Sequence, residues 1–298
     1  MKTAAILGPT ASGKTDLALT IARRHDCAVL SLDSLALYRQ IDIASAKPTL
    51  SERAGVAHFG IDEIDPDEPF SVALFARLFE RARDFCKRYD KNLLIVGGTG
   101  FYLKALIEGL SDIPEPSPGA KAEVLALLRS LPDAYAELCR VDPETAGRIS
   151  PTDRYRIEKA LMLHRATGLP PSHYFALHPP KPLAAQLPLF EIDIEKEALW
   201  ERITRRTNAM LQAGLLDEVA KLERRYGRAP HPMKAIGIKE VLDYFDGKLT
   251  YRAMREAIAV HTRQLAKRQR TFNRTQFPPH PLLPKKRLEA ELDSLLKR

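Results

Sequence analysis

The sequence predicts an α/β fold: a parallel sheet in a three-layer core, with a block of helices inserted into it. Three observations carry that reading. Four short runs are apolar almost throughout, as strands covered on both faces are. Segments of helical period alternate with the first three of these runs, the pattern that builds parallel sheets. The alternation then stops, and a stretch of helical segments intervenes before the fourth run.

The first run is "TAAILG" (3–8). It leads into "GPTASGKT", Gly8–Thr15, which fits G-x-x-x-x-G-K-[ST]. That loop cradles phosphates, and a strand before it and a helix (14–25) after it are the context the motif requires. The core is therefore of the P-loop NTPase-like kind. "AVLSLD" (28–33) and "NLLIVGG" (92–98) are the second and third runs, with helices over 70–89 and 100–108. A further strand is expected at 56–61, "VAHFGI". "SDIPEPSP" (111–118) reads as a proline-rich linker, and 119–178 as helical. "LPLFEIDI" (187–194) returns to the sheet, and beyond 195 the chain reads as helical throughout. The expected domains are a core of 1–114 with 187–298, and a helical insertion of 115–186.

Composition narrows the function classes. The chain has 298 residues and 45% hydrophobic content, ordinary for a globular protein. No apolar run is long enough to span a membrane, and no signal peptide is expected. Cys27, Cys86 and Cys139 are far apart, which argues against a zinc site or a disulfide framework and for reduced thiols in the cytoplasm. Residues 201–298 hold 22 Lys/Arg against 11 Asp/Glu, whereas the rest is slightly acidic. A basic third on a near-neutral body points to a polyanionic partner.

Four places carry candidate chemistry. In the loop, the amides of residues 10–15 can face an anion at a helix N-terminus, Lys14 can neutralise its charge and Thr15 can ligate Mg²⁺. Asp33 and Ser34, in "LDSLALYR", follow the second strand, at the edge where open α/β sheets bind ligands. A carboxylate there can bind metal or act as a base, but Asp and Ser also cap helices, and the local sequence does not choose. Gly97, Gly98 and Thr99 end the third run at the same edge. In 251–274, Met254, Ile258, His261 and Leu265 share one helix face and Arg255, Arg263, Lys267, Arg270 and Arg274 the opposite one. One face suits the core and the other a nucleic-acid backbone, with His261 read as a packed histidine.

Seven segments, "GPTASGKT", "DSLALYR", "SAKPT", "GGTGFYLKAL", "SPTDRYRIEKAL", "KAIGIKE" and "LAKRQRTFNR", occur in the order seen in tRNA dimethylallyltransferases, also called tRNA isopentenyltransferases. The chain resembles that family from residue 5 to about 277. The resemblance implies that Gly8, Pro9, Thr10, Ala11, Ser12, Gly13, Lys14 and Thr15 hold dimethylallyl diphosphate rather than ATP. It implies transfer of the five-carbon group to N6 of the adenosine on the 3′ side of the anticodon. Asp33 is then the general base, Thr99 holds the adenine or its amine, and Arg206 (or Arg205) joins Lys14 and Mg²⁺ on the leaving diphosphate. Contacts to the tRNA anticodon stem-loop fall to Asp33, Ser34, Leu35, Ala36 and Thr99, to Tyr155, Arg156, Ile157, Glu158 and Lys159 in the insertion, and to Arg263, Lys267, Arg270 and Arg274. A monomer is expected. Two departures stand out: Ile238 replaces a usual aromatic, and Ala44 a common glycine.

Rival readings are an adenylate isopentenyltransferase acting on free AMP, ADP or ATP, and a small-molecule kinase with ATP on the loop. The first needs neither the basic surface nor the long insertion. A GTPase-like module lacks support, since no N-K-x-D segment is present.

Overall fold

A computed structural model describes residues 1–109, 111 and 113–297. The chain divides into two compact units, 1–107 with 184–298, and 108–183. In the first, β1 (Thr3–Leu7), α1 (Lys14–Arg24), β2 (Cys27–Ser31), α2 (Leu50–Arg53), β3 (His58–Phe59), α3 (Val72–Arg88), β4 (Asn92–Val96) and α4 (Gly100–Glu108) follow one another. The second unit holds α5 (Pro118–Leu127), α6 (Leu131–Val141), α7 (Pro143–Arg148), α8 (Arg154–Thr167) and α9 (Pro171–Leu177). The chain then returns through β5 (Leu189–Asp193), α10 (Lys196–Gln212), α11 (Leu215–Tyr226), α12 (Ile238–Phe245), α13 (Tyr251–Gln276), β6 (Leu282–Pro284) and α14 (Lys285–Leu296).

The sheet order is β3-β2-β4-β1-β5-β6, and every pairing is parallel. β1 lies between β4 and β5, so the phosphate loop that follows it emerges near the middle of the sheet edge. Alternate strand residues point to opposite faces. Ala4, Ile6, Val29, Leu94 and Ile192 pack with Leu17 and Ile21 of α1 and with Leu288, Leu292 and Leu296 of α14. Their neighbours Ala5, Leu7, Ala28, Leu30, Leu93 and Ile95 are equally buried. Burial on both faces explains why these strands read as unbroken apolar runs rather than as alternating ones.

β6 corrects the expectation that the chain is helical beyond 195. Its three residues, Leu-Leu-Pro, are too short and too exposed to show a pattern, and they form a strand by pairing with the edge of β5. Of the expected linker 111–118, Asp112 lies outside the described residues; Ser117 ends the linker by capping α5 through the Ala120 N–H. The Ala184 N–H donates to the Leu106 carbonyl at 2.9 Å, which joins the two crossings between the units. The second unit has its own core, with Val124, Leu128, Ala134, Leu138, Ile157 and Leu161. All three cysteines are free. Burial pushes the Cys27 thiol up to about 12 and Cys86 up to about 11, so neither is a nucleophile at neutral pH. Among the described residues no helix is long and apolar enough to cross a membrane.

Candidate active site

The loop from Gly8 to Thr15 turns directly into α1. Gly13 precedes the first helical residue at φ 90°, a left-handed conformation that glycine takes without strain. The Lys14 side chain folds back, and its Nζ donates to the Pro9 carbonyl at 2.6 Å. Burial lowers the Lys14 ammonium from 10.5 to about 7, against the pull of Asp33; nearby Arg206 lowers it further, and Glu191 opposes it weakly. The Ser12 hydroxyl is buried with no hydrogen-bond partner among the described residues.

Two further turns reach the same sheet edge. After β2, the Asp33 carboxylate accepts from the N–H groups of Leu35 at 2.8 Å and Ala36 at 3.2 Å, both on Oδ1. Oδ2 has no hydrogen-bond partner among the described residues. Asp33 is thus both a turn cap and an exposed carboxylate; the alternatives left open by the sequence are not exclusive. After β4, Gly97 and Gly98 allow close approach from two sides. A Cβ at Gly97 would lie 2.5 Å from Leu32 Cβ, and one at Gly98 would lie 2.3 Å from the Gln269 amide nitrogen. Thr99 follows at the start of α4.

α10 supplies the cations opposite the loop. Arg206 donates to the Thr10 hydroxyl at 3.4 Å and to the Ser45 carbonyl at 3.1 Å, and burial lowers its guanidinium against the pull of Asp33. Arg205 pairs with Glu201 at 2.8 Å, with both side chains largely exposed. These elements enclose a cavity of about 840 Å³ whose lining includes Lys14, Thr15, Asp33, Thr99 and Arg206.

Some of the lining has little or no signal in the sequence. Arg202 donates to the Ser12 carbonyl at 3.1 Å, one helical turn before Arg206, so the i,i+4 spacing was its signal. Gln269 accepts from the Thr10 N–H at 2.8 Å; the sequence signal of its segment is carried by apolar and cationic residues, and Gln269 is neither. The 44–48 loop also lines the cavity and is held from α11. The Glu218 carboxylate accepts from three successive N–H groups, Asp42 at 2.9 Å, Ile43 at 2.7 Å and Ala44 at 2.9 Å. The Lys47 side chain is 5% exposed and pairs with Asp42 at 2.6 Å and with Asp62. Nothing in sequence spacing links Glu218 to residues so far away.

The family model described as IPP transferase matches residues 36–276, and one described as isopentenyl transferase matches residues 1–68. A tRNA dimethylallyltransferase of Sulfurimonas denitrificans is 49% identical over 292 residues, covering 98% of each chain. One of Nautilia profundicola is 48% identical, covering 98% of this chain and 96% of its own. The chain belongs to the tRNA dimethylallyltransferase family. Among solved structures, the tRNA isopentenylpyrophosphate transferase of Bacillus halodurans is 31% identical with a TM-score of 0.67, covering 99% of this chain and 96% of its own. A eukaryotic dimethylallyltransferase crystallised in the course of acting on tRNA is 27% identical with a TM-score of 0.76, covering 92% of this chain and 70% of its own.

Within the family frame, several sequence expectations shift. Ile238 is fully buried at the start of α12, so this departure from the usual aromatic alters packing rather than a surface contact. Ile157 is buried in the core of the second unit, whereas Tyr155, Arg156 and Lys159 are exposed and Glu158 is half-buried. His261 is not packed away: it meets the buried Glu240 carboxylate at 2.5 Å with its side chain 43% exposed. Of the four α13 cations expected to contact tRNA, Lys267 and Arg274 are exposed. Arg263 donates to the Thr204 hydroxyl at 3.0 Å and lies over the Trp200 ring, and Arg270 donates to the Ile194 carbonyl.

Proposed function

We propose that this tRNA-prenylating enzyme moves the dimethylallyl group of dimethylallyl diphosphate to N6 of the adenosine 3′-adjacent to the anticodon, releasing diphosphate. The observation that supports it best is the shared cavity: an anion loop, a carboxylate with an uncommitted oxygen and a half-buried arginine face one space. An exocyclic adenine amine is a weak nucleophile, because its lone pair is delocalised into the ring. Asp33 Oδ2 accepts its proton as the N–C bond forms. The C–O bond to diphosphate breaks at the same carbon, and the departing charge falls to the loop amides, Lys14 and Arg206. Lys14, only partly protonated at neutral pH, gains its full charge beside an anion. The buried Ser12 hydroxyl gains an acceptor on the same anion.

A divalent cation, Mg²⁺ by its chemistry, fits this arrangement. Among the described residues no three His, Cys, Asp or Glu cluster as a metal cage. Mg²⁺ binds with few protein ligands, retained waters and substrate phosphates, and Thr15 offers a hydroxyl oxygen in the cavity. When bound, it would stabilise charge on the leaving diphosphate. Because the target base is stacked in the anticodon loop, it enters the cavity flipped. Tyr155, Arg156 and Lys159 of the second unit offer an exposed aromatic and two cations to the stem-loop, as an RNA-binding surface requires.

The test is direct: labelled dimethylallyl diphosphate with tRNA, AMP or ATP as acceptor. Label is expected in tRNA alone, within the anticodon loop. Transfer to AMP or ATP would instead support the adenylate isopentenyltransferase reading.

A further inference from the structure

A cavity that accepts adenine has to orient its ring, yet Asp33, Lys14 and Arg206 act on the amine and the diphosphate, and Thr99 alone is left for the ring or its amine. Gln269 stands in the same cavity with its amide orientation fixed. Its Oε1 accepts from the Thr10 N–H at 2.8 Å. A backbone N–H can pair with the oxygen of a carboxamide but not with its NH₂, so the group cannot be turned end for end. Nε2 is thereby held against Gly98, where a Cβ would lie 2.3 Å away. Among the described residues Nε2 has no hydrogen-bond partner, and it is not one of the buried atoms left unpaired. It is a donor open to the cavity, next to the turn that carries Thr99.

We propose that Gln269 reads the adenine ring: Nε2 donates to a ring nitrogen flanking the 6-amino group, N1 or N7. The idea rests on the adenosine-N6 reading above. Adenine offers a lone pair on each side of that amine, and a carboxamide NH₂ can donate to either. Either contact fixes where the amine points relative to Asp33. Contact at N1 does two more things. It occupies the in-plane lone pair that would compete with N6 for the allyl group, and it disfavours guanine, whose N1 carries a hydrogen. The two glycines before Thr99 then have a further reason: any side chain at Gly98 would displace the amide.

The experiment uses the full chain and anticodon stem-loops carrying adenosine, 1-deazaadenosine or 7-deazaadenosine at the target. Single-turnover rates are measured for wild type, Gln269→Ala and Gln269→Glu. If wild type fails to prenylate the adenosine stem-loop, the functional reading falls and the ring contact falls with it. If it succeeds, Gln269→Ala is expected to lose roughly tenfold, the scale of one hydrogen bond. Gln269→Glu keeps an oxygen for Thr10 but turns the donor into an acceptor, and should lose more. One deaza analogue should cost wild type roughly tenfold more than it costs Gln269→Ala. That non-additivity identifies the nitrogen, because a deaza ring's altered basicity affects both enzymes and cancels in the cycle. If both analogues cost wild type and Gln269→Ala equally, Gln269 merely holds the loop in place and the proposal is overturned. Should Gln269→Ala not fold, Gln269→Glu completes the same cycle.

Discussion

The two long faces of α13 make different demands on one helix. Ile258, Thr262, Leu265 and Gln269 recur at three- and four-residue spacing and line the cavity. Arg263, Lys267, Arg270 and Arg274 recur at the same spacing about 140° around the axis. The first face carries no charge, and its polar end is pinned to the phosphate loop. The second is cationic at these four positions, with Glu256 the opposing charge near its start, yet two of the four are used inside the molecule: Arg263 on Thr204 and Trp200, Arg270 on the Ile194 carbonyl. Charge periodicity shows which side of a helix leaves the cavity. It does not show which cations are spent on holding α13 against its neighbours.

The contrast predicts that changes beside the cavity alter chemistry, whereas changes on the cationic face alter either binding or stability. Asp33→Ala should lower single-turnover prenyl transfer by about 10²–10⁴-fold, the usual worth of a general base, while tRNA affinity holds. A rate within a few-fold of wild type would remove Asp33 from the proton transfer.

Lys14 gives the next largest effect. Its ammonium is lowered to about 7, so above that pH a bound diphosphate must bring in a proton. Diphosphate affinity should fall by up to roughly tenfold per pH unit between 7 and 9. The sign follows from the bound state holding more protons. Calorimetry in buffers of different ionisation heat should show proton uptake at pH 8, and Lys14→Met should show none. Folding obeys the same linkage. The unfolded lysine keeps its proton up to about 10.5, so Lys14 should contribute stability that rises with pH above 7; above about 9 the buried Cys27 and Cys86 thiols, pushed up to about 12 and 11, oppose it, so the gain should show between pH 7 and 9.

On the other face, the pairs should separate. Lys267→Gln with Arg274→Gln should reduce the log–log salt slope of tRNA binding by roughly 0.7–0.9 for each phosphate left without its cation. The weakening should be the same for every tRNA, since phosphates carry no sequence. Unchanged slopes would make these two cations a solvated surface. Arg263→Gln with Arg270→Gln should leave the slope nearly intact and lower Tm by about 2–4 °C per kcal/mol of destabilisation. The smallest expected signal is zero: with γ-labelled ATP and tRNA, no phosphate should be released above background.

Much of this architecture is legible in the chain because burial on both faces writes itself into composition. β1, β4 and β5 fall within three of the apolar runs and β2 begins one residue before the fourth, and the Gly8–Thr15 loop is set by a motif whose flanks agree with it. Asp33, Thr99 and Arg206 are also brought to one cavity, as the family pattern implies. Other features depend on distant partners. β6 is a strand because β5 offers an edge, Ile157 is buried because other helices cover it, and His261 turns towards Glu240. Gln269 and Arg202 are ordinary surface types until folding brings Thr10 and Ser12 to them. Glu218 shows the limit best: a carboxylate on an unremarkable helical segment organises three amides more than 170 positions away.

The hydrogen bond from Ala184 to Leu106 has a topological consequence. It brings the outgoing and returning chain to within one peptide hydrogen bond of each other, so the sheet experiences the intervening seventy-six residues, 108–183, as little more than a tight loop. Lengthening a closed loop raises its closure entropy only logarithmically. The helical unit can therefore vary in size, or be exchanged for a short turn, without moving β1 against β5. The catalytic scaffold and the helical unit are modular in the sense that matters to evolution: one can be rewritten without re-solving the fold of the other.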